Sequence, residues 1–235
     1  MIPKVIHYCW FGNNPKTKLM ESCIESWEKY CQDYEIIEWN ENNFDINMNE
    51  YTRRCYNEKK WAFLSDYVRL YVVEKYGGIY LDTDVEIVKS LDSLLKYKCF
   101  FGFENSKYVN TGLGFGAEKN SIVVKLMLNR YKLLFFSTKY IGCPVLNSEV
   151  LESQGIKMNG LSQEKDGLKV FSKEYFNPYD DSIDKLELTS NTYSIHWFSK
   201  TWIDLKTKKR ANIIKIFRKI FGKNFVNKIK RVIRK

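Results

Sequence analysis

Two aspartates one residue apart, Asp82 and Asp84, end the short apolar run Ile79-Tyr80-Leu81. Residues two apart on an extended chain share a face, so this spacing predicts that both carboxylates project together while Thr83 points away. Two such groups leaving water repel each other and lose solvation. A divalent cation between them removes both penalties. Hard oxygen ligands suit Mg²⁺ or Mn²⁺, ions that in enzymes commonly bridge to substrate phosphates. For Asp-x-Asp alone, the plain alternative is an Asx-type turn closing a hairpin.

The residues ahead of the pair supply a scaffold. Leu64, Val68, Tyr71, Val72 and Lys75 recur at spacings of three and four, the pattern of one helix side. On the neighbouring stripe lie Ala62, Asp66, Arg69 and Val73, which lets Asp66 and Arg69 pair. Gly77-Gly78 stops the helix, since glycine adopts a positive φ without steric cost. A strand, Ile79 to Leu81, then leads into the aspartates.

The run Ser65-Asp66-Tyr67-Val68-Arg69 to Gly77-Gly78-Ile79-Tyr80-Leu81-Asp82-Thr83-Asp84 closely resembles the DXD-containing sugar transferases of glycosyltransferase family 32. That family includes the yeast initiating mannosyltransferase, many bacterial capsule enzymes and, more distantly, the glucosylating clostridial toxins. The opening Ile2-Pro3-Lys4-Val5-Ile6-His7-Tyr8-Cys9-Trp10-Phe11-Gly12 looks like its first strand. The resemblance implies an α/β fold of GT-A type, a Rossmann-like, mixed, mostly parallel sheet flanked by helices. It also implies a nucleotide-diphospho-sugar donor, a uridine nucleotide by expectation, and a saccharide acceptor. Asp82 and Asp84 would hold the metal, with His196 ligating it, contacting phosphate or serving structure alone. Trp10 would stack on the base or fill the core. Asp66 and Arg69 would grip sugar hydroxyls. Asn110 lies where the family often places an asparagine on the donor sugar. His196, Thr201 and Trp202 resemble the closing segment that folds over the donor, with threonine in place of the usual serine.

The donor-binding set expected in this way is His7, Trp10, Gly12, Asp66, Arg69, Asp82, Asn110, Thr201 and Trp202; the catalytic set is Asp66, Arg69, Asp84 and Trp202. His7 reads as packing or hydrogen-bonding more than chemistry. Retention of anomeric configuration is a further implication. Retaining glycosidases place two carboxylates about 5 Å apart, and no convincing second nucleophile is visible here. The expected route is therefore front-face, with the diphosphate taking the acceptor proton.

Around this centre the chain reads as alternating strands and helices. Val5 to Trp10 and Tyr34 to Trp39 are strands, joined by an amphipathic helix from Leu19 to Cys31 with Leu19, Cys23, Ser26, Trp27 and Tyr30 on one side. Ligands gather at the carboxyl ends of such strands, which singles out the loop Phe11 to Pro15. Cys99 to Phe103 is a strand, Val109 to Ala117 a glycine-rich strand passing close to substrate, and Ser121 to Phe135 a helix. The segment Tyr140 to Leu146 precedes another helix and carries Cys143 within a Gly-Pro pattern. Residues 157–190 read as a polar loop with a short strand around Val170.

The net charge of +10 over 235 residues is unevenly placed. Lys206 to Lys235 holds 13 of the 38 Lys and Arg and no Asp or Glu, leaving 25 basic against 28 acidic groups before it, a net of −3. This divides the chain into a transferase domain, 1–205, and a basic amphipathic helical tail, 206–235. In the tail, Ile213, Ile216, Phe217, Ile220 and Phe221, then Phe225, Ile229, Val232 and Ile233, recur at helical spacing about a kink at Gly222. An apolar stripe flanked by cations is the pattern of a helix lying on anionic lipid; a helix packed on the domain is the other reading. The six cysteines form no Cys-x-x-Cys pair and read as buried thiols in a reducing cytosol. With no leader or spanning run visible, the expected place is cytoplasmic, peripheral on the inner membrane face, with a lipid-linked oligosaccharide as acceptor. A nucleic-acid partner is not expected, because the cations are not spread over a folded face. The competing functions are a nucleic-acid binder using the tail and a non-catalytic sugar-nucleotide-binding module.

Overall fold

A computed structural model describes residues 1–201 and 205–222. In chain order the elements are β1 (Val5–Cys9), α1 (Lys18–Tyr30), β2 (Glu35–Trp39), α2 (Glu50–Asn57), α3 (Trp61–Tyr76), β3 (Gly78–Tyr80) and β4 (Val85–Ile87). There follow β5 (Cys99–Gly102), β6 (Phe115–Ala117), α4 (Ile122–Tyr131), α5 (Cys143–Ser153), β7 (Gln163–Lys165) and β8 (Leu168–Phe171). The last are β9 (Tyr179–Asp180), β10 (Lys185–Leu186), β11 (Ser194–His196) and α6 (Leu205–Phe221).

The central sheet has seven strands in the order β2-β1-β3-β6-β5-β8-β7. β2, β1, β3, β5 and β8 run one way and β6 and β7 the other, so the sheet is mixed and mostly parallel as expected. Neighbouring residues of one strand feed opposite cores: Ile79 and Phe100 pack with Ile6, Trp27 and Phe176, while Tyr80 and Phe101 pack with Val68, Val72, Phe115 and Met127. Helices cover both faces, which buries β3 completely.

The helix α1 starts where Thr17 accepts a hydrogen bond from the Met20 amide. Its buried stripe is Met20, Cys23 and Trp27, while Leu19, expected inside, is exposed. The Trp27 indole donates to the Val85 carbonyl at 2.7 Å and ties α1 to β4. In α3 burial extends beyond a single stripe, to Asp66, Arg69, Leu70 and Val73 as well as Leu64, Val68 and Val72. The helix ends at Gly77, φ 72°, and Gly78 enters β3 at φ 109° against the Val5 carbonyl, where a Cβ would clash.

Three segments depart from the sequence reading. Asp82 and Asp84 do not sit on an extended strand, since the Val85 amide donates to the Asp82 carbonyl and closes a turn between β3 and β4. Nor is this a hairpin: β3 pairs with β1 and β6, and β4 with β11. The stretch 109–117 breaks into an isolated bridge at Val109, a turn, and β6. Residues 157–190 hold the expected strand around Val170, β8, but also β7 and the hairpin β9–β10 in place of a polar loop; β8 and β7 extend the central sheet beside β5. All six cysteines are buried and free.

Candidate active site

A cleft of about 720 Å³ opens at the carboxyl ends of β1 and β3, a size that suits a small organic ligand. Its lining includes Trp10 and Trp61, then Asp66, Arg69, Asn110 and Cys143, and Asp82, Asp84, His196 and residues 198–201.

Asp66, Arg69 and Asp82 form an ion-pair network. Arg69 Nη1 lies 3.2 Å from Asp66 and Nη2 donates to Asp82 Oδ1 at 2.9 Å. The guanidinium also sits 4.9 Å above the Tyr80 ring and donates through Nε to the Ser65 carbonyl. The three-residue spacing on α3 brings Asp66 and Arg69 together, and the turn after β3 delivers Asp82. Burial pushes the Asp66 carboxyl above its ordinary range, although Arg69 and the Cys143 amide, which donates to Oδ2 at 3.2 Å, draw it back. Asp66 thus sits on the N-terminus of α5, where backbone N–H groups favour an anion. The Cys143 thiol donates to Asn110 Oδ1 at 3.4 Å, and the same oxygen accepts from the Gly112 amide at 2.7 Å. Any side chain on Gly112 would collide with Asp82, so the absence of a Cβ there keeps the acidic pair accessible.

Asp82, Asp84 and His196 present one ligand atom each, all within 4.8 Å of one another. His196 Nε2 lies 3.2 Å from Asp84 Oδ1, and its Nδ1 is buried without a hydrogen-bond partner among the described residues. Burial alone would raise the Asp84 pKa; the adjacent imidazole and the Ser199 amide, donating to Oδ2 at 2.7 Å, outweigh it and hold the carboxyl well below its usual range. Burial and then the Asp84 charge push Asp82 upward, even with Arg69 beside it. Two partly dehydrated carboxylates that repel each other, with an imidazole beside them, fit a divalent cation that takes oxygen and nitrogen together.

Of the residues singled out from sequence, Trp10, Asp66, Arg69, Asp82, Asp84, Asn110, His196 and Thr201 converge on this cleft. The Trp10 indole donates to the Asn14 carbonyl at 2.6 Å, which fixes the ring in the lining of the cleft. His7 does not join the donor-binding set, and it bears out the reading as a packing, hydrogen-bonding residue. It is fully buried, with Nε2 2.8 Å from the Gly77 carbonyl and Nδ1 accepting from the Trp39 indole at 3.2 Å, away from the cleft. Gly12 is not among the lining residues either; at φ 89° it packs on the Trp61 ring and donates to Glu41. Trp202 lies outside the described residues. Trp61, Cys143, Gly112, Ser199 and Lys200 escaped the sequence reading. Of these, Gly112, Cys143, Ser199 and Lys200 sit in segments that the sequence had marked, Gly112 in the stretch read as passing close to substrate.

Comparison with known proteins agrees with this picture. Residues 17–101 match the family described as "Glycosyltransferase sugar-binding region containing DXD motif". Over 107 residues the chain is 34% identical to inositol phosphoceramide mannosyltransferase 3 of Schizosaccharomyces pombe (strain 972 / ATCC 24843), a match covering 41% of this chain and 28% of that protein. The chain therefore aligns with less than a third of that relative's length. Among solved structures, PaToxG glycosyltransferase superposes with a TM-score of 0.53 at 18% identity, covering 65% of this chain and 69% of that one. A glycosyltransferase involved in glycosylation of the major capsid of PBCV-1 gives a TM-score of 0.50 at 12% identity, covering 91% of this chain and 100% of that one. Residues 17–101 thus match a DXD-containing glycosyltransferase sugar-binding region, and the fold around them is of the GT-A type seen in these solved structures.

Proposed function

We propose that the chain transfers a sugar from a nucleotide-diphospho-sugar, a uridine nucleotide by preference, to a saccharide acceptor, with Mn²⁺ or Mg²⁺ held by Asp82, Asp84 and His196. The observation that carries this is the Asp82–Asp84–His196 cluster joined through Asp82 to the buried Arg69–Asp66 pair. When bound, the cation would neutralise charge on the departing diphosphate. Trp10 offers a ring face for the base. Arg69 and Asp66 are held rigidly enough to orient sugar hydroxyls, which lowers the entropy cost of reaching the reactive geometry. An acceptor hydroxyl oxygen then bonds to the anomeric carbon as the bond from that carbon to the diphosphate oxygen breaks. The electron pair leaves with the diphosphate, which takes the acceptor's proton. Because the diphosphate takes that proton, the acceptor approaches from the face the diphosphate leaves, a front-face route that retains the configuration with no second carboxylate nucleophile.

The test is a panel of nucleotide sugars incubated with and without Mn²⁺. Metal-dependent donor hydrolysis or transfer is expected for at least one. Binding of a nucleotide sugar with no turnover toward water or any saccharide would favour the non-catalytic module instead.

We also propose that residues 206–235 rest on an anionic membrane, giving a cytoplasmic, peripheral enzyme whose acceptor is a lipid-linked oligosaccharide. The support is α6, which leaves Ile213, Ile216 and Phe217 exposed beside Lys and Arg; no described helix is long and apolar enough to cross a membrane. Each cation near such a surface contributes about 1 kcal/mol. Ile213→Asp/Ile216→Asp should cut co-sedimentation with phosphatidylserine vesicles at least about tenfold. Unchanged co-sedimentation would remove the lipid reading. Gly222, with φ 82°, follows α6, and the second tail helix expected after it lies outside the described residues.

A further inference from the structure

The cleft is short of cations for the ligand proposed above. Three carboxylates line it, and the Arg69 guanidinium is committed to two of them while His196 faces the third. A nucleoside diphosphate adds further negative charge. Among the described lining residues the remaining basic side chains are Lys59 and Lys200.

Lys200 is placed by a strap fastened to Asp84. The Trp197 amide donates to the Asp84 carbonyl at 3.0 Å and the Ser199 amide to its carboxylate at 2.7 Å. Phe198 and Lys200 both adopt positive φ, 50° and 49°, a conformation that residues with a Cβ rarely take and that tends to persist where surrounding contacts demand it. The Lys200 ammonium is paired with Asp181, in the turn between β9 and β10. That carboxylate is shared: Lys215 of α6 lies 3.5 Å from Asp181 and 3.0 Å from Asp184, and donates to the Tyr179 hydroxyl at 2.9 Å. Tyr179 in turn packs on Trp197, with ring centroids 5.3 Å apart. The β9–β10 hairpin therefore stands between α6 and the strap, and Asp181 is counter-ion to both.

We infer that Lys200 is a ligand of the donor diphosphate, parked on Asp181 before the donor arrives, and that Lys215 eases its release by holding Asp181 in its place. This rests on the proposal that the cleft takes a nucleoside diphosphate. An ammonium on a four-carbon stem can swing between acceptors, and a diphosphate offers more charge and more oxygens than one carboxylate. Docking of α6 and donor binding are then linked through one acidic group, so each favours the other.

Calorimetric titration of UDP, GDP and ADP in MnCl₂, with the matching nucleosides as controls, tests this on the full chain. For whichever diphosphate binds wild type, Lys200→Ala should weaken binding at least tenfold while nucleoside affinity stays within twofold, and Lys200→Arg should restore most of the loss. Asp181→Asn should tighten diphosphate binding about threefold, and that gain should vanish in Lys200→Ala/Asp181→Asn. Lys215→Ala should weaken it two- to threefold. Equal loss of diphosphate and nucleoside in Lys200→Ala would make Lys200 a prop for the strap and overturn the inference, as would wild-type affinity in that variant. If wild type bound none of the three diphosphates with Mn²⁺, the underlying function would fall, and the role of Lys200 with it.

Discussion

Asp84→Asn is expected to lower sugar transfer roughly a thousandfold, about 4 kcal/mol in the barrier, while the protein stays folded. Asparagine keeps an oxygen for the Ser199 amide, so the strap over the cleft retains its anchor. The attraction to His196 is lost, but so is the repulsion that, after burial, pushes the neighbouring Asp82 carboxyl upward. These opposing changes leave the unfolding temperature within a few degrees of wild type. What disappears is the response to ligand. At a hundredfold excess over Kd a ligand stabilises by about 2.7 kcal/mol, a rise of roughly 5–10 °C for a chain of this size. Wild type should show that rise with Mn²⁺ and its nucleotide diphosphate present together, and Asp84→Asn should not. Turnover undiminished in the variant would remove the metal assignment.

Much of this centre was legible because it is local. Asp66 and Arg69 are three apart on one helix, and the distance between their charged groups, 3.2 Å, follows from helical geometry. Asp82 and Asp84 were legible as a pair for an incomplete reason: a turn, not an extended strand, brings their carboxylates together. His7 entered the donor-binding set with the family resemblance, while its own reading as a packing, hydrogen-bonding residue is the one the fold bears out. Along β1 it lies two residues before Cys9, the first residue to line the cleft, roughly 6–7 Å too deep. Its ring is consumed by Gly77 and Trp39.

The illegible parts are those fixed by distant partners. β7 is three largely exposed polar residues, and only pairing with β8, itself placed by β5, makes it a strand. The Asp181 carboxylate gains meaning only when the hairpin comes between residues 200 and 215. Gly112, from the stretch read as passing close to substrate, and Cys143, at the start of α5, reach Asp82 and Asp66 across the fold, and nothing in their sequences named those partners.

Arg69 is where stability and chemistry meet, and its removal carries the largest structural penalty. Its side chain is 4% exposed and touches two carboxylates from different elements. Replacing a buried pair with apolar residues of like volume is often neutral, but deleting one partner strands a charge and costs about 3–5 kcal/mol. Arg69→Ala strands two, Asp66 and Asp82, so the unfolding temperature should fall on the order of 10 °C. Adding Asp66→Asn to Arg69→Ala removes one stranded charge and should recover part of the loss. Arg69→Lys keeps the charge, but one ammonium cannot span both carboxylates as the planar guanidinium does. That variant should fold with a smaller penalty yet lose about a hundredfold in kcat/KM, because a shift of about 1 Å in the orienting group is enough to do so. Urea unfolding and steady-state kinetics on the three variants separate the two effects. If Arg69→Ala kept both the wild-type urea midpoint and wild-type turnover, the network would be neither support nor machinery.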